Sequence, residues 1–116
     1  VYYFTFNIED NRIPYDLTLA IRNNNKYPYQ NLWLFYNEEP PIGALKRDTI
    51  ECMLADDYGK WYGTGISLYL SSFPLRTHYY FPYPGQYTYS FQQGMRANEL
   101  TGVQEIGLNI TPSKGD

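Results

Sequence analysis

Few side chains in this sequence are equipped for chemistry, and their surroundings limit what that chemistry could be. His78 is the sole histidine and Cys52 the sole cysteine. In LRTHYYF, strand parity sets His78 beside Arg76 and Tyr80 and opposite Leu75, Thr77 and Tyr79. A zinc site or a Cys–His nucleophile needs several such groups converging, which one histidine and one inward-facing cysteine do not supply. Cys52 lies in DTIECMLAD, where Ile50, Cys52 and Leu54 alternate with Thr49, Glu51 and Met53. It is read as a core thiol and His78 as a satisfied or exposed strand residue, so no metal and no cofactor are expected.

Carboxylates are more plentiful: Glu38 with Glu39, Asp56 with Asp57, and Glu51 on a strand. Two acids at a suitable separation can hydrolyse a glycosidic bond, and loop acids with carbonyls can hold calcium. Glu51 with Asp56 or Asp57 is the pair to test for glycan cleavage, but adjacent acids in loops are ordinarily solvated turn residues. No Gly-x-Ser-x-Gly elbow, P-loop or dinucleotide-type glycine pattern occurs. The expectation is a protein that is not an enzyme.

The aromatic residues make a stronger case for binding. They form 19% of the chain, largely through 14 tyrosines. Tyr27, Tyr29, Trp61, Tyr62, Tyr80 and Tyr83, read as exposed, could stack on sugar rings or enrich a protein interface. Tyrosine can also bury its ring and leave its hydroxyl wet, which is the structural alternative. Arg22, Tyr27, Tyr29, Trp61 and Arg96 are the candidate contact residues. Arg22 and Arg96 could equally pair with Asp16, Glu99 or loop carbonyls.

The elements that would carry these residues follow from period-two patterning. Tyr2, Phe4, Phe6 and Ile8 share one face, and in YDLTLAIRN so do Tyr15, Leu17, Leu19 and Ile21. NNNKYP reads as a loop. NLWLFY places Leu32, Leu34 and Tyr36 against Trp33 and Phe35, apolar on both sides, so a central strand with both faces covered is expected. Gly63 and Gly65 mark a bend before Ile66, Leu68 and Leu70 resume alternation. LRTHYYF is a separate candidate strand, PYPG a turn, and QYTYSF a strand with Tyr87, Tyr89 and Phe91 together. QGMRANELTG could hold one helical turn. GVQEIGLNI aligns Ile106, Leu108 and Ile110, and residues 111–116 read as a mobile tail.

One domain spanning 1–116 fits this length, and about eight short strands without a covering helix favour two antiparallel sheets face to face. The expected fold is all-β, a two-sheet β-sandwich of jelly-roll type, with an open barrel second. A formal charge of −3, with its basic residues scattered, argues against nucleic acid as partner. No apolar run is long enough for a membrane span. The sequence starts inside a strand pattern with no signal peptide visible, so an upstream stretch is expected.

Three stretches, IRNNNKYPYQNLWLFY, DTIECMLADDYGKWYGTG and PGQYTYSFQQGMRANELTGVQEIGLNI, occur in an order that resembles the GldH family of gliding-motility lipoproteins. The resemblance covers nearly the whole chain and contains no catalytic signature. It implies a β-rich lipoprotein of the Bacteroidetes cell envelope, held on the periplasmic side or at the outer membrane by an acylated cysteine upstream. It also implies a non-enzymatic scaffold whose partners are other envelope proteins of the gliding and associated secretion machinery. A carbohydrate-binding sandwich module with a glycan partner is the alternative, motivated by the aromatic surplus.

Overall fold

The computed structural model of the protein describes residues 1–95 and 101–114. Its strands are β1 (Tyr2–Ile8), β2 (Tyr15–Asn24), β3 (Asn31–Glu39), β4 (Lys46–Met53), β5 (Leu68–Tyr79), β6 (Gly85–Gln93) and β7 (Val103–Pro112). They form one four-stranded sheet, ordered β1-β6-β3-β4, and one three-stranded sheet, ordered β5-β2-β7. Every pairing is antiparallel. Apart from β3 to β4, each connection passes from one sheet to the other, so the sheets stack as a sandwich and do not close into a barrel.

Alternation decides which side chains meet between the layers. β2 turns Leu17, Leu19, Ile21 and Asn23 inward, all fully buried. The facing sheet supplies Leu32, Leu34, Tyr36, Tyr87, Tyr89 and Phe91. Tyr36 and Phe91, cross-strand partners, stack at 5.6 Å between ring centroids, and Tyr36 also stacks on Tyr89 at 6.4 Å. At the other end Phe81 meets Tyr87 edge-on at 4.7 Å and Tyr79 at 4.9 Å. Such ring contacts add to what area burial alone provides. Cys52 lies in the same core, as its strand parity requires.

Several expectations need correction. Among the described residues the strands number seven, because most of ISLYLS and of LRTHYYF lies in one strand, β5. Thr64 and Leu70 exchange backbone hydrogen bonds of 3.0 and 3.1 Å across the Gly63–Gly65 bend. After that bend the parity is opposite to the expected one: Tyr69, Ser71 and Phe73 turn toward the core, while Ile66, Leu68 and Leu70 are exposed. Stacking of Tyr69 on Trp61, 5.9 Å between centroids, favours this choice of face.

β3 is interior to its sheet but covered on one side only. Trp33 and Phe35 are 40% and 53% exposed, because among the described residues no second layer lies over the outer face. The expectation of a doubly covered strand is overturned. Thr111 and Pro112 pair with Asp16 and Tyr15, and the Ser113 N–H donates to Pro14 O at 2.9 Å, so the pairing of β7 extends into the stretch read as a tail. The helical turn expected within QGMRANELTG falls largely outside the described residues.

These assignments separate two substitutions that period-two patterning alone treats alike. Leu19→Ala opens a cavity between the sheets and is expected to cost about 3 kcal/mol. Trp33→Ala removes a half-exposed ring and should cost about 1 kcal/mol. Urea denaturation of both variants checks the ranking, and equal losses would mean that the outer face of β3 is covered after all.

Candidate functional site

The densest chemistry in the molecule is between the sheets, where the sequence pattern alone places none. Glu38, expected in a solvated acidic loop, is the penultimate residue of β3 and only 2% exposed. Arg76 of β5 reaches it across the sandwich, Nη2 to Oε1 3.6 Å, forming an ion pair that links the two sheets. The Arg76 guanidinium also sits 4.9 Å from the centroid of the Tyr79 ring, a cation–π contact.

A bulge explains why an arginine points inward here. Thr18 pairs with Pro74, but Leu17 pairs with Arg76, so Leu75 is an extra residue on β5. Paired residues share a face, and Leu17 is fully buried, so Arg76 is directed to the interior. Pro74 brings no N–H to the ladder, a residue type that collects at such irregularities. Farther along, the His78 backbone adopts φ 50° and its N–H donates to Asp16 Oδ1 at 2.9 Å.

Tyr89 and Tyr36 complete this polar cluster. Burial drives the Tyr89 hydroxyl far above the usual phenol range, reinforced by Glu38 and opposed by Arg76. Tyr36 is also raised by burial, and its hydroxyl lies 3.4 Å from Asp48 Oδ2 at the cluster's edge. Glu38 Oε1, Arg76 Nε and the Tyr89 hydroxyl are buried without a hydrogen bond of full length. Glu38 and Arg76 pair at 3.6 Å and both act on Tyr89, with Tyr36, Lys46, Arg47 and Asp48 lining the cleft outside. This arrangement positions charge between two layers. It holds no nucleophile with an adjacent base.

Asp56, Asp57 and Glu51 are engaged as well. Asp56 Oδ1 accepts the Tyr58 and Lys60 N–H groups, each at 2.9 Å, closing the turn between β4 and β5. Asp57 accepts from Gln30 Nε2 at 3.0 Å, and Glu51 from Asn31 Nδ2 at 2.6 Å. Each is held to a different neighbour, as turn and cross-strand acids are. Among the described residues no three His, Cys, Asp or Glu side chains gather to hold a metal ion.

Of the candidate contact residues, Tyr27, Tyr29 and Trp61 come together around one shallow depression at the loop end. Tyr27 is only 4% exposed, with its hydroxyl donating to Asn31 O at 2.6 Å, so its ring belongs to the core and offers no stacking surface. Tyr29 packs edge-on against it at 5.7 Å and is part exposed. Trp61 is half-buried against Tyr69. Tyr62, Tyr80 and Tyr83 are exposed as expected. Arg22 lies elsewhere, on the outer face of the three-stranded sheet, paired with Glu105 at 3.0 Å and not with Asp16. Arg96 and its expected partner Glu99 lie outside the described residues.

Fold and side-chain use define the class: a small antiparallel β-sandwich whose acids tie turns and layers together and whose surface carries aromatic rings. A family model described as GldH lipoprotein matches residues 1–110, and the chain belongs to that family. It is 35% identical over 115 residues to a gliding motility lipoprotein GldH homolog of Christiangramia forsetii, spanning 92% of this chain and 70% of that protein. It is 29% identical over 114 residues to the gliding motility lipoprotein GldH of Flavobacterium johnsoniae, spanning 92% and 71%. No solved structure matches it. A lipoprotein family implies a membrane-anchored place in the envelope, and this one is not a known enzyme family.

Cys52 does not serve as such an anchor, because its thiol is fully buried. Burial, followed by the nearby Glu51, pushes it up to about 12. That lowers the thiolate fraction at mildly alkaline pH by about a thousandfold. Iodoacetamide should therefore leave Cys52 untouched in the native protein and alkylate it promptly in denaturant, as intact-mass spectrometry would show. For the polar cluster, Arg76→Ala strands Glu38 and is expected to cost about 2 kcal/mol, discounted for the partial exposure of the arginine. The double replacement Glu38→Leu/Arg76→Met should cost less than that single change in urea melts.

Proposed function

We propose that this protein is a non-enzymatic envelope component of the gliding-motility apparatus and its associated secretion machinery. In this reading it is held to a membrane by a lipid on a cysteine upstream of Val1 and acts as an interaction scaffold. The observation that carries the reading is the family match over residues 1–110, together with relatives named as gliding motility lipoproteins. The structure supports it through chemistry already in use: Glu51, Asp56, Asp57 and Glu38 each serve a turn, a strand pair or the interlayer ion pair.

The physical logic is that of confinement. A lipid anchor restricts a small domain to a surface, which raises its effective concentration for neighbours on the same membrane. Modest interfaces then suffice for assembly. A rigid two-layer sandwich with one fixed shape suits that work, since little ordering entropy is lost on docking.

Deleting the gene from a gliding host should abolish colony spreading and surface delivery of motility adhesins. Restoring the precursor should rescue both, whereas a precursor whose lipid-acceptor cysteine is replaced by serine should not. Normal spreading in the deletion strain would refute the motility role, and full rescue by the unlipidated form would refute the need for an anchor.

A further inference from the structure

The outer face of the four-stranded sheet combines exposed rings with amides and hydroxyls in a register that the motility reading does not use. We propose that this face binds an uncharged glycan chain, seated on the Phe35 ring. The inference stands on its own geometry and does not depend on the role in motility.

Parity on β3 sends Trp33, Phe35 and Asn37 outward. Phe35 pairs with Gln92 of β6 on one side and Thr49 of β4 on the other, while Asn37 pairs with Ser90 and Arg47. The ring is therefore flanked by an amide and a hydroxyl at strand spacing, about 4.8 Å to each side, with another amide about 7 Å along the strand. Beside it lies an open depression of about 510 Å³, bordered by Asn37, Arg47, Asp48, Thr49 and Gln92.

The ring is positioned, and not merely left exposed. The Gly94 N–H donates to Trp33 O at 2.7 Å, which brings the chain after β6 against Phe35. A Cβ on Gly94 would stand 2.9 Å from the Phe35 ring, so the absence of a side chain there lets the ring take its place. Trp33, the next outward residue, extends the apolar platform along the strand, which suits a chain better than a single sugar.

The chemistry of this surface matches a saccharide. A pyranose offers a C–H face to a ring and a rim of hydroxyls that both donate and accept. Asn37, Gln92 and Thr49 do the same. The charges bordering the depression, Arg47 and Asp48, cancel, and the whole chain is at −3, so an anionic polymer gains nothing here. A protein partner would favour contiguous apolar area, whereas Phe35 is bordered by Thr49 and Gln92 and Trp33 by Glu51.

The test is to screen the 116-residue chain against a printed array of neutral glucans, mannans, xylans and galactans. The best binder is then titrated while tryptophan fluorescence is followed. Saturable binding is expected, weakened about tenfold or more by Phe35→Ala and by Asn37→Ala with unchanged melting temperature, and unaffected by Tyr29→Ala. Failure of every neutral polymer to bind would overturn the proposal. So would a preference for charged polymers, full affinity in both face variants, or loss of binding in Tyr29→Ala alone.

Discussion

Burying a tyrosine ring is favourable only where its hydroxyl still finds a polar partner, and that constraint shapes this sandwich. The Tyr27 hydroxyl donates to Asn31 O at 2.6 Å, and the Tyr87 hydroxyl donates to Tyr83 O at 2.8 Å while accepting the Tyr83 N–H. Tyr15 reaches Asp10 O at 3.2 Å, at the turn that leads into its own strand. In each case the ring lies with the core and the oxygen reaches a turn or a strand end. The tyrosine surplus that reads as a binding surface is thus in good part core material with polar exits.

Tyr89 is the case without an easy exit. It faces the interior from β6, and the layer opposite must bring polarity to it. The bulge on β5 delivers Arg76 into the sandwich, and Glu38 compensates its charge from β3. Desolvating such a pair costs free energy that its attraction only partly returns, so the pair is poor evidence of extra stability. It does fix one register. A one-residue slip of β5 would withdraw Arg76 and leave both Glu38 and the Tyr89 hydroxyl buried without it.

Period-two patterning in the sequence was enough for the sandwich, for the inward sets Leu17, Leu19, Ile21 and Tyr87, Tyr89, Phe91, and for Cys52 in the core. It failed in three places, each for a physical reason. At β3 both faces are apolar, and alternation cannot say whether another layer covers the outer one. At β5 a glycine bend and then a bulge each reset the parity, so Leu68, Leu70 and Arg76 all face opposite to the local pattern. For Tyr27 the deciding contact is a carbonyl at Asn31, beyond the proline that closes its loop, and the Tyr-Pro-Tyr stretch resembles a surface loop without it. A proline two residues ahead of an arginine in a strand was the one available signal for the interlayer pair.

The same strand that anchors the core also carries the exposed rings. Leu32, Leu34, Tyr36 and Glu38 alternate with Trp33, Phe35 and Asn37; the former are buried and the latter point outward. Because the inner set is locked by stacking and by the ion pair to the other sheet, the outer set is held on a rigid backbone without contributing much to that rigidity. Recognition and stability are thereby assigned to alternate residues of one strand. Outer positions of β3 can change chemically while the layer contacts stay intact, whereas inner positions cannot change without disturbing the register on which the outer face depends.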